Sequence, residues 1–433
     1  MQLFINPARS EWAKLIQRPE LELGYLESTV KNIFNRVKHS GDQALLEMAS
    51  QYDKATITSL VVSESELQQG IARVPVALQE AIRQAADNIE KFHRAQLRQA
   101  EHIETMPGVY CWRKGVPVER VGIYIPGGTA PLFSTVLMLA VPARVAGCKE
   151  IILCSPPDAQ GNIHPAILYA ASLTGVTRIC KAGGAQAIGA MAYGTESIPR
   201  VSKIFGPGNQ YVTKAKQLVS QEGVAIDLPA GPSEVLVWAD ETAIPSFVAA
   251  DLLSQAEHGA DSQVILVLSN EKLISEIQGK LTAQLNRLPR KELAQQALQH
   301  SRIVVLTNEN DALDFINEYA PEHLIISVNH AEEKAEQILN AGSIFIGNFS
   351  PESAGDYASG TNHTLPTNGY AKAYGGVSTE SFLRYITYQK ISGDGLKKLG
   401  PVVETMAEAE LLEAHRAAVS IRLEYLKQNP QPV

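Results

Sequence analysis

Gln255 and His258 close the segment Asp251-Leu-Leu-Ser-Gln-Ala-Glu-His-Gly259, a helix end whose Phe247, Val248, Ala250, Leu252 and Leu253 supply an apolar side. Residues three apart on a helix stack on one face. An imidazole and an amide oxygen can therefore converge at the mouth of this helix, which is half of a metal site. The plainer alternative is a packed, hydrogen-bonded histidine in a helical stripe. Spacing alone does not prefer Gln255 to Glu257 as the second donor, although Glu257 points about 100° away from His258.

Three further stretches carry candidate groups. In Ala320-Pro-Glu-His-Leu324, Glu322 and His323 stand where a helix gives way to a strand. Such a pair can share proton transfers, the imidazole titrating near neutrality and the carboxylate polarising a water; the alternative is an exposed polar turn. Asp356 and His363 lie in 351–367, a stretch rich in Gly, Ser, Pro, Asn and Asp that reads as a loop too long to exist for connection alone. An aspartate there can equally be a turn-former. Glu410 and His415 fall on or near a terminal helix predicted over about 404–427, where His415 takes a slot in the apolar stripe of Leu412, Val419, Leu423 and Leu426. It is either a packing histidine or a ligand on an appended helix. Imidazole and oxygen donors without thiolate suit zinc, or manganese or cobalt, better than an iron-sulfur cluster.

The elements that must position these groups alternate. Residues 1–20 read as a short helical arm, followed by helices near 26–52 and 76–97 and a hairpin or crossing segment over 109–117. From Val121 the pattern becomes β-α-β, with strands at 121–125, 150–154, 178–180, 203–205 and 224–228, each ending in a turn that carries glycine or proline. That puts the variable loops at the carboxyl ends of a parallel sheet, where ligands bind in open α/β folds. A second alternating set has strands at 263–268, 303–306, 324–328 and 343–347, and after about Gly376 the chain reads as helical. Pro126-Gly-Gly128 can bring backbone N–H groups to a pyrophosphate. It is not the G-x-G-x-x-G fingerprint, and Cys154-Ser-Pro-Pro-Asp158 puts no acid directly at the strand end to hold a ribose. Two α/β lobes with a possible dinucleotide site and a possible N/O metal site follow from pattern alone.

Composition narrows the partners. The chain has 433 residues, 45% hydrophobic and 19% charged, with net charge −8 and no basic stripe, so nucleic acid is excluded as an expected partner. Cys111, Cys148, Cys154 and Cys180 form no C-x-x-C pair and read as reduced thiols. With neither a signal-peptide core nor an apolar run of membrane length, a cytoplasmic protein is expected.

Long stretches in one order resemble the histidinol dehydrogenase family: Tyr124-Ile-Pro-Gly-Gly-Thr-Ala-Pro-Leu-Phe-Ser-Thr, Gly183-Gly-Ala-Gln-Ala-Ile, Ile204-Phe-Gly-Pro-Gly-Asn, Pro229-Ala-Gly-Pro-Ser-Glu-Val-Leu, Asp251 through Gly259, Pro321-Glu-His-Leu-Ile, and Ser350-Pro-Glu-Ser-Ala-Gly-Asp-Tyr-Ala-Ser-Gly-Thr-Asn-His. Residues 1–20 and about 370–399 match poorly. The resemblance implies zinc held by Gln255, His258, Asp356 and His415, the last from the other subunit of a domain-swapped homodimer. It implies substrate contacts from these four and from Ser233, His323 and Glu410, with His363 nearby, and NAD contacts from Tyr124, Gln186 and Asn209. It further implies oxidation of L-histidinol to L-histidine through the aldehyde, with His323 as base and Glu322 activating water. On a single helix Glu410 would point about 140° away from His415.

The implied fold class is α/β: two Rossmann-like parallel-sheet lobes, a small N-terminal helical arm (1–20) and a C-terminal helical domain (376–433) reaching the partner. One lobe would combine 21–120 with 235–375 and carry the zinc and substrate residues; the other, 121–234, would bind NAD. Two other readings compete: a family relative oxidising another small alcohol such as a hydroxylated sulfonate, and a zinc hydrolase, for which the glycine turns have no purpose.

Overall fold

The computed structural model describes residues 1–19, 26–127, 131–228 and 231–429. Gly128 of the glycine turn, Ala130 at the start of an expected helix and Ala230 lie outside the described residues. Among the described residues the strands are β1 (Gln2–Ile5), β2 (His102–Met106), β3 (Val109–Pro117), β4 (Arg120–Tyr124), β5 (Glu150–Ser155), β6 (Arg178–Lys181), β7 (Lys203–Phe205), β8 (Ala225–Ile226), β9 (Glu234–Ala239), β10 (Gln263–Leu268), β11 (Arg302–Val305), β12 (His323–Ser327), β13 (Ser343–Ile346) and β14 (Leu383–Ile391). The chain divides into two compact units, one of 1–96 with 118–382 and one of 97–117 with 383–433.

The first unit holds two all-parallel sheets, ordered β6-β5-β4-β7-β8 and β1-β11-β10-β9-β12-β13. They are wound alike. In each, two successive strands step outward from a central one, and the chain then returns to that strand's other side, which creates a switch point between β4 and β7 and another between β9 and β12. The central strands are continuous apolar runs because both faces are covered. Helices Pro245–Ala256, Ile274–Leu285 and Lys291–Gln299 bury Leu252, Ile277 and Leu298 against one face of the larger sheet. Helices Arg9–Leu15 and Glu309–Tyr319 bury Trp12 and Phe315 against the other.

Several expectations change. Residues 2–5 are a strand paired in parallel with β11, so among the described residues of the N-terminal arm the helix is confined to Arg9–Leu15. No strand is expected over Glu234–Ala239, yet it is central in the larger sheet; its apolar run Val235–Ala239, bounded by Glu234 and Asp240, is the signal of a fully buried strand. Helix Leu26–Met48 packs Val30, Phe34 and Val37 against Ile188 and Met191 of the five-stranded lobe, not with 235–375, because its apolar stripe matches that of helix Gly184–Tyr193. Within the expected loop 351–367, Glu352–Tyr357 is a short helix.

The second unit has an antiparallel sheet, β14-β3-β2, and two helices, Gly393–Ala409 and Glu413–Gln428. β14 replaces helix at the start of the expected helical domain. Its side chains are exposed over most of their length, so burial left no alternation to read, and what fixes it is nine-residue pairing with β3. The expected terminal helix is two helices, broken at Leu411, which adopts φ +59°.

Candidate active site

The two sheets of the first unit offer opposite edges. At the carboxyl edge of the smaller sheet, the turns after β4, β5, β6 and β7 line a cavity of about 880 Å³ through Tyr124, Gly127, Pro156, Gln186 and Asn209. Its lining includes the β4/β7 switch point, through Tyr124 at the end of β4 and Asn209 after β7. Gly206 at that turn has φ +122°, and a Cβ there would lie 2.1 Å from the Tyr124 carbonyl oxygen, so only glycine fits. The Tyr124 hydroxyl accepts the Gly184 N–H at 3.0 Å, tying two of the turns together.

The larger sheet uses its amino edge instead. His323 opens β12, Glu234 opens β9, and Gln255 sits in the last turn of helix Pro245–Ala256; all three are buried. The Glu234 backbone is the hub. Its carbonyl accepts Gln255 Nε2 at 3.3 Å and lies 3.1 Å from His323 Nδ1, while its N–H donates to Glu322 Oε2 at 2.8 Å. Gln255 Nε2 is also 2.8 Å from His323 Nδ1. On the far side of the ring, His323 Nε2 is 3.4 Å from Asp356 Oδ1, ion-pair distance rather than a hydrogen bond. Burial works against charge on the His323 imidazole, but Glu322 and Asp356 hold its pKa well above the usual histidine range. Burial likewise opposes ionisation of Asp356, and His323 outweighs it, leaving the carboxyl below its ordinary value.

Asp356 is brought to the ring by helix Glu352–Tyr357, which presents Glu352 and Asp356 four residues apart on one face. Donor atoms of His258, Glu352 and Asp356 all lie within 4.8 Å of one another. Burial pushes the Glu352 carboxyl up to about 8, with Asp356 and Glu322 adding to the effect and His323 opposing it. Gln255 Oε1, Asp356 Oδ1 and Glu352 Oε2 are buried without a hydrogen-bond partner among the described residues. Buried oxygens left this way are costly, and a divalent cation is the partner that would satisfy them together. The donor set therefore fits a metal of the zinc class. Ser233 and His258 line a second cavity of about 690 Å³, which Asn209 shares with the first.

His363 does not point a free nitrogen at this cluster. Nδ1 is 2.9 Å from the Asp356 carbonyl and Nε2 is 3.1 Å from Thr135 Oγ1, so it fastens the Asp356 helix to helix Phe133–Ala146. Glu410 and His415 belong to the second unit: Glu410 caps helix Gly393–Ala409 and exposed His415 begins helix Glu413–Gln428. The 140° separation expected on one helix does not apply. Glu234, Arg18 and Glu352 escaped the sequence reading. Glu352 was legible as the i,i+4 partner of Asp356 once a helix is allowed there; Arg18, which donates to Glu234 Oε1 and Oε2 at 2.7 and 2.9 Å, carries no local signal.

The family model described as histidinol dehydrogenase matches residues 16–423. The chain belongs to the histidinol dehydrogenase family. It is 58% identical over 427 residues to the histidinol dehydrogenase of Bacteroides fragilis, covering 99% of this chain and all of that one. It is 52% identical over 420 residues to that of Mannheimia succiniciproducens, covering 96% and 97%. The crystal structure of histidinol dehydrogenase from Elizabethkingia anophelis matches with a TM-score of 0.97 and 57% identity over 99% of each chain. The family is one of oxidoreductases of histidine biosynthesis, and the α/β class with parallel sheets agrees with it. No helix among the described residues is long and apolar enough to cross a membrane.

Proposed function

We propose that this histidinol dehydrogenase family member is an NAD-dependent, zinc-requiring enzyme that takes L-histidinol through the aldehyde to L-histidine, acting in the cytoplasm as a domain-swapped homodimer. The observation that carries the reading is the buried run Gln255, His323, Asp356, in which Gln255 Oε1 and Asp356 Oδ1, with Glu352 Oε2, have no hydrogen-bond partner among the described residues. Gln255, His258, Asp356 and the partner subunit's His415 would hold the zinc. Tyr124, Gln186 and Asn209 would line the dinucleotide, and Ser233 and Glu410 the substrate. When bound, the zinc gives the substrate's imidazole and amino nitrogens a fixed anchor, and NAD gives each oxidation its hydride acceptor.

The chain's own groups manage protons and position. In its neutral form the His323 imidazole takes the hydroxyl proton in each oxidation, its ring held at the Nδ1 edge by Gln255 and the Glu234 carbonyl. Glu322, its Oε2 oriented by the Glu234 N–H, takes a proton from the water that adds to the aldehyde. Burial of both groups keeps the aldehyde from competing water. Exposed Leu411, Leu412, Ile421 and Tyr425 on the helical pair of the second unit support coverage by a partner subunit.

The test is NADH formed per histidinol consumed, with and without chelator. About two NADH per histidinol, lost on chelation and restored by zinc, is expected. A ratio of about one points to a relative that stops at a single oxidation, and chelator-insensitive turnover refutes the metal.

A further inference from the structure

The acid that a dinucleotide-binding turn ordinarily places at a strand end is missing from β5, which ends on Ser155 and is followed by two prolines. Two aspartates nevertheless line the larger cavity. Asp158 is already engaged: its Oδ1 accepts the Gln160 and Asn162 N–H groups at 2.9 and 2.8 Å. Asp53 is different. It ends the π-helical turn Ala49–Asp53, far from the strand in sequence, and its Oδ2 is buried with no hydrogen-bond partner among the described residues. Its Oδ1 lies against Gly183, where a Cβ would approach it to 3.2 Å, so it sits at the start of helix Gly184–Tyr193. Burial alone pushes the carboxyl up to about 6, the condition of an acid short of donors.

We propose that Asp53 receives the adenosine ribose hydroxyls of the dinucleotide and thereby selects NAD over its 2′-phosphorylated form. This rests on the reading that the dinucleotide occupies the larger cavity. The nicotinamide end must reach the cavity that holds Ser233 and His258, which joins the first at Asn209, and this leaves the adenosine end on the Asp53 side. A carboxylate accepts from vicinal hydroxyls and repels a phosphate in the same place. Arg73 also lines the cavity and would favor phosphate, but it is exposed, whereas the Asp53 oxygen is buried.

Binding of NADH and NADPH is measured by fluorescence titration on the zinc-loaded full chain without substrate, for wild type, Asp53→Asn and Asp53→Ala, alongside hydrogen exchange with and without NADH. Wild type prefers NADH. Both variants melt cooperatively and lose at least about tenfold of the NADH-to-NADPH affinity ratio, mostly through weaker NADH binding. NADH protects 184–193 and the turn after β4 from exchange. Protection confined to other segments overturns the cavity assignment and the role of Asp53 together. Protection here with an unchanged affinity ratio in both variants overturns the role of Asp53 alone, as does a wild type that binds NADPH as tightly as NADH.

Discussion

The Glu234 carbonyl accepts Gln255 Nε2, and this one contact decides which way the Gln255 amide faces. A carbonyl cannot pair with the amide oxygen, so Oε1 is turned away from Glu234 and left buried without a donor among the described residues. Glutamine does here what a carboxylate could not, donating to the scaffold while offering an oxygen to a cation. Gln255→Glu is expected to keep metal, since an oxygen ligand remains, but to lose turnover at least about tenfold, because a carboxylate has no N–H to give the Glu234 carbonyl and would put an acceptor against it. Gln255→Ala and His258→Asn are expected to lose metal. Zinc content by atomic absorption and steady-state rates separate the three; full zinc in His258→Asn refutes its place in the set.

His323→Asn removes the imidazole while keeping a side chain that can pair with Glu234. Turnover is expected to fall about 10²–10⁴-fold with zinc and melting temperature little changed. Wild-type rates in this variant would strike His323 out as the base.

The position of these groups depends on a buried ion pair. Arg18 and Glu234 are paired with Glu234 almost wholly buried, and Asn368 N–H adds a donor at 2.7 Å. Burial raises the Glu234 pKa and Arg18 lowers it, the first effect winning. Arg18→Met leaves the carboxylate unpaired and is expected to cost about 3–5 kcal/mol near neutral pH. The variant's carboxyl pKa moves further up, so between the unfolded value and the folded one the native state binds more protons than the unfolded state. Stability then falls as pH rises through that window. Urea unfolding should show a larger difference from wild type at pH 8 than at pH 5; a pH-independent difference would remove Glu234 from the explanation.

Gly206→Ala should be poorly tolerated for a backbone reason. The left-handed φ costs about 1–3 kcal/mol for alanine, and the Cβ meets the Tyr124 carbonyl. Both the unfolding midpoint and NADH affinity are expected to drop, because the turns after β4 and β7 move together. Native NADH affinity in a destabilised variant would separate the turn from the dinucleotide.

Groups named by sequence were those whose neighbors along the chain announce them. Glu322 and His323 are adjacent, Gln255 and His258 share a helix face, and the β-α-β pattern from Val121 exposes its glycine turns. Arg18, Glu234 and Asp53 act across more than a hundred residues of chain, through contacts that exist only after folding. β14 and the N-terminal strand were missed because neither has a buried face along its whole length to impose alternation, and the helix at 352–357 because a single short turn rich in Ser and Gly looks like loop.

If His415 serves the partner's site, two separately dead chains can repair one another. His323→Asn is defective in the first unit and His415→Asn in the second, so each homodimer lacks a working site. In a mixed dimer, one site combines both lesions and the other combines an intact His323 with an intact His415. Random reassortment makes about half the dimers mixed, each with one good site, so about a quarter of wild-type activity should return after denaturation and refolding of an equal mixture. If each site instead used its own chain's His415, every site in every dimer would carry one lesion and no activity would return. The amount recovered therefore reads the connectivity of the site directly.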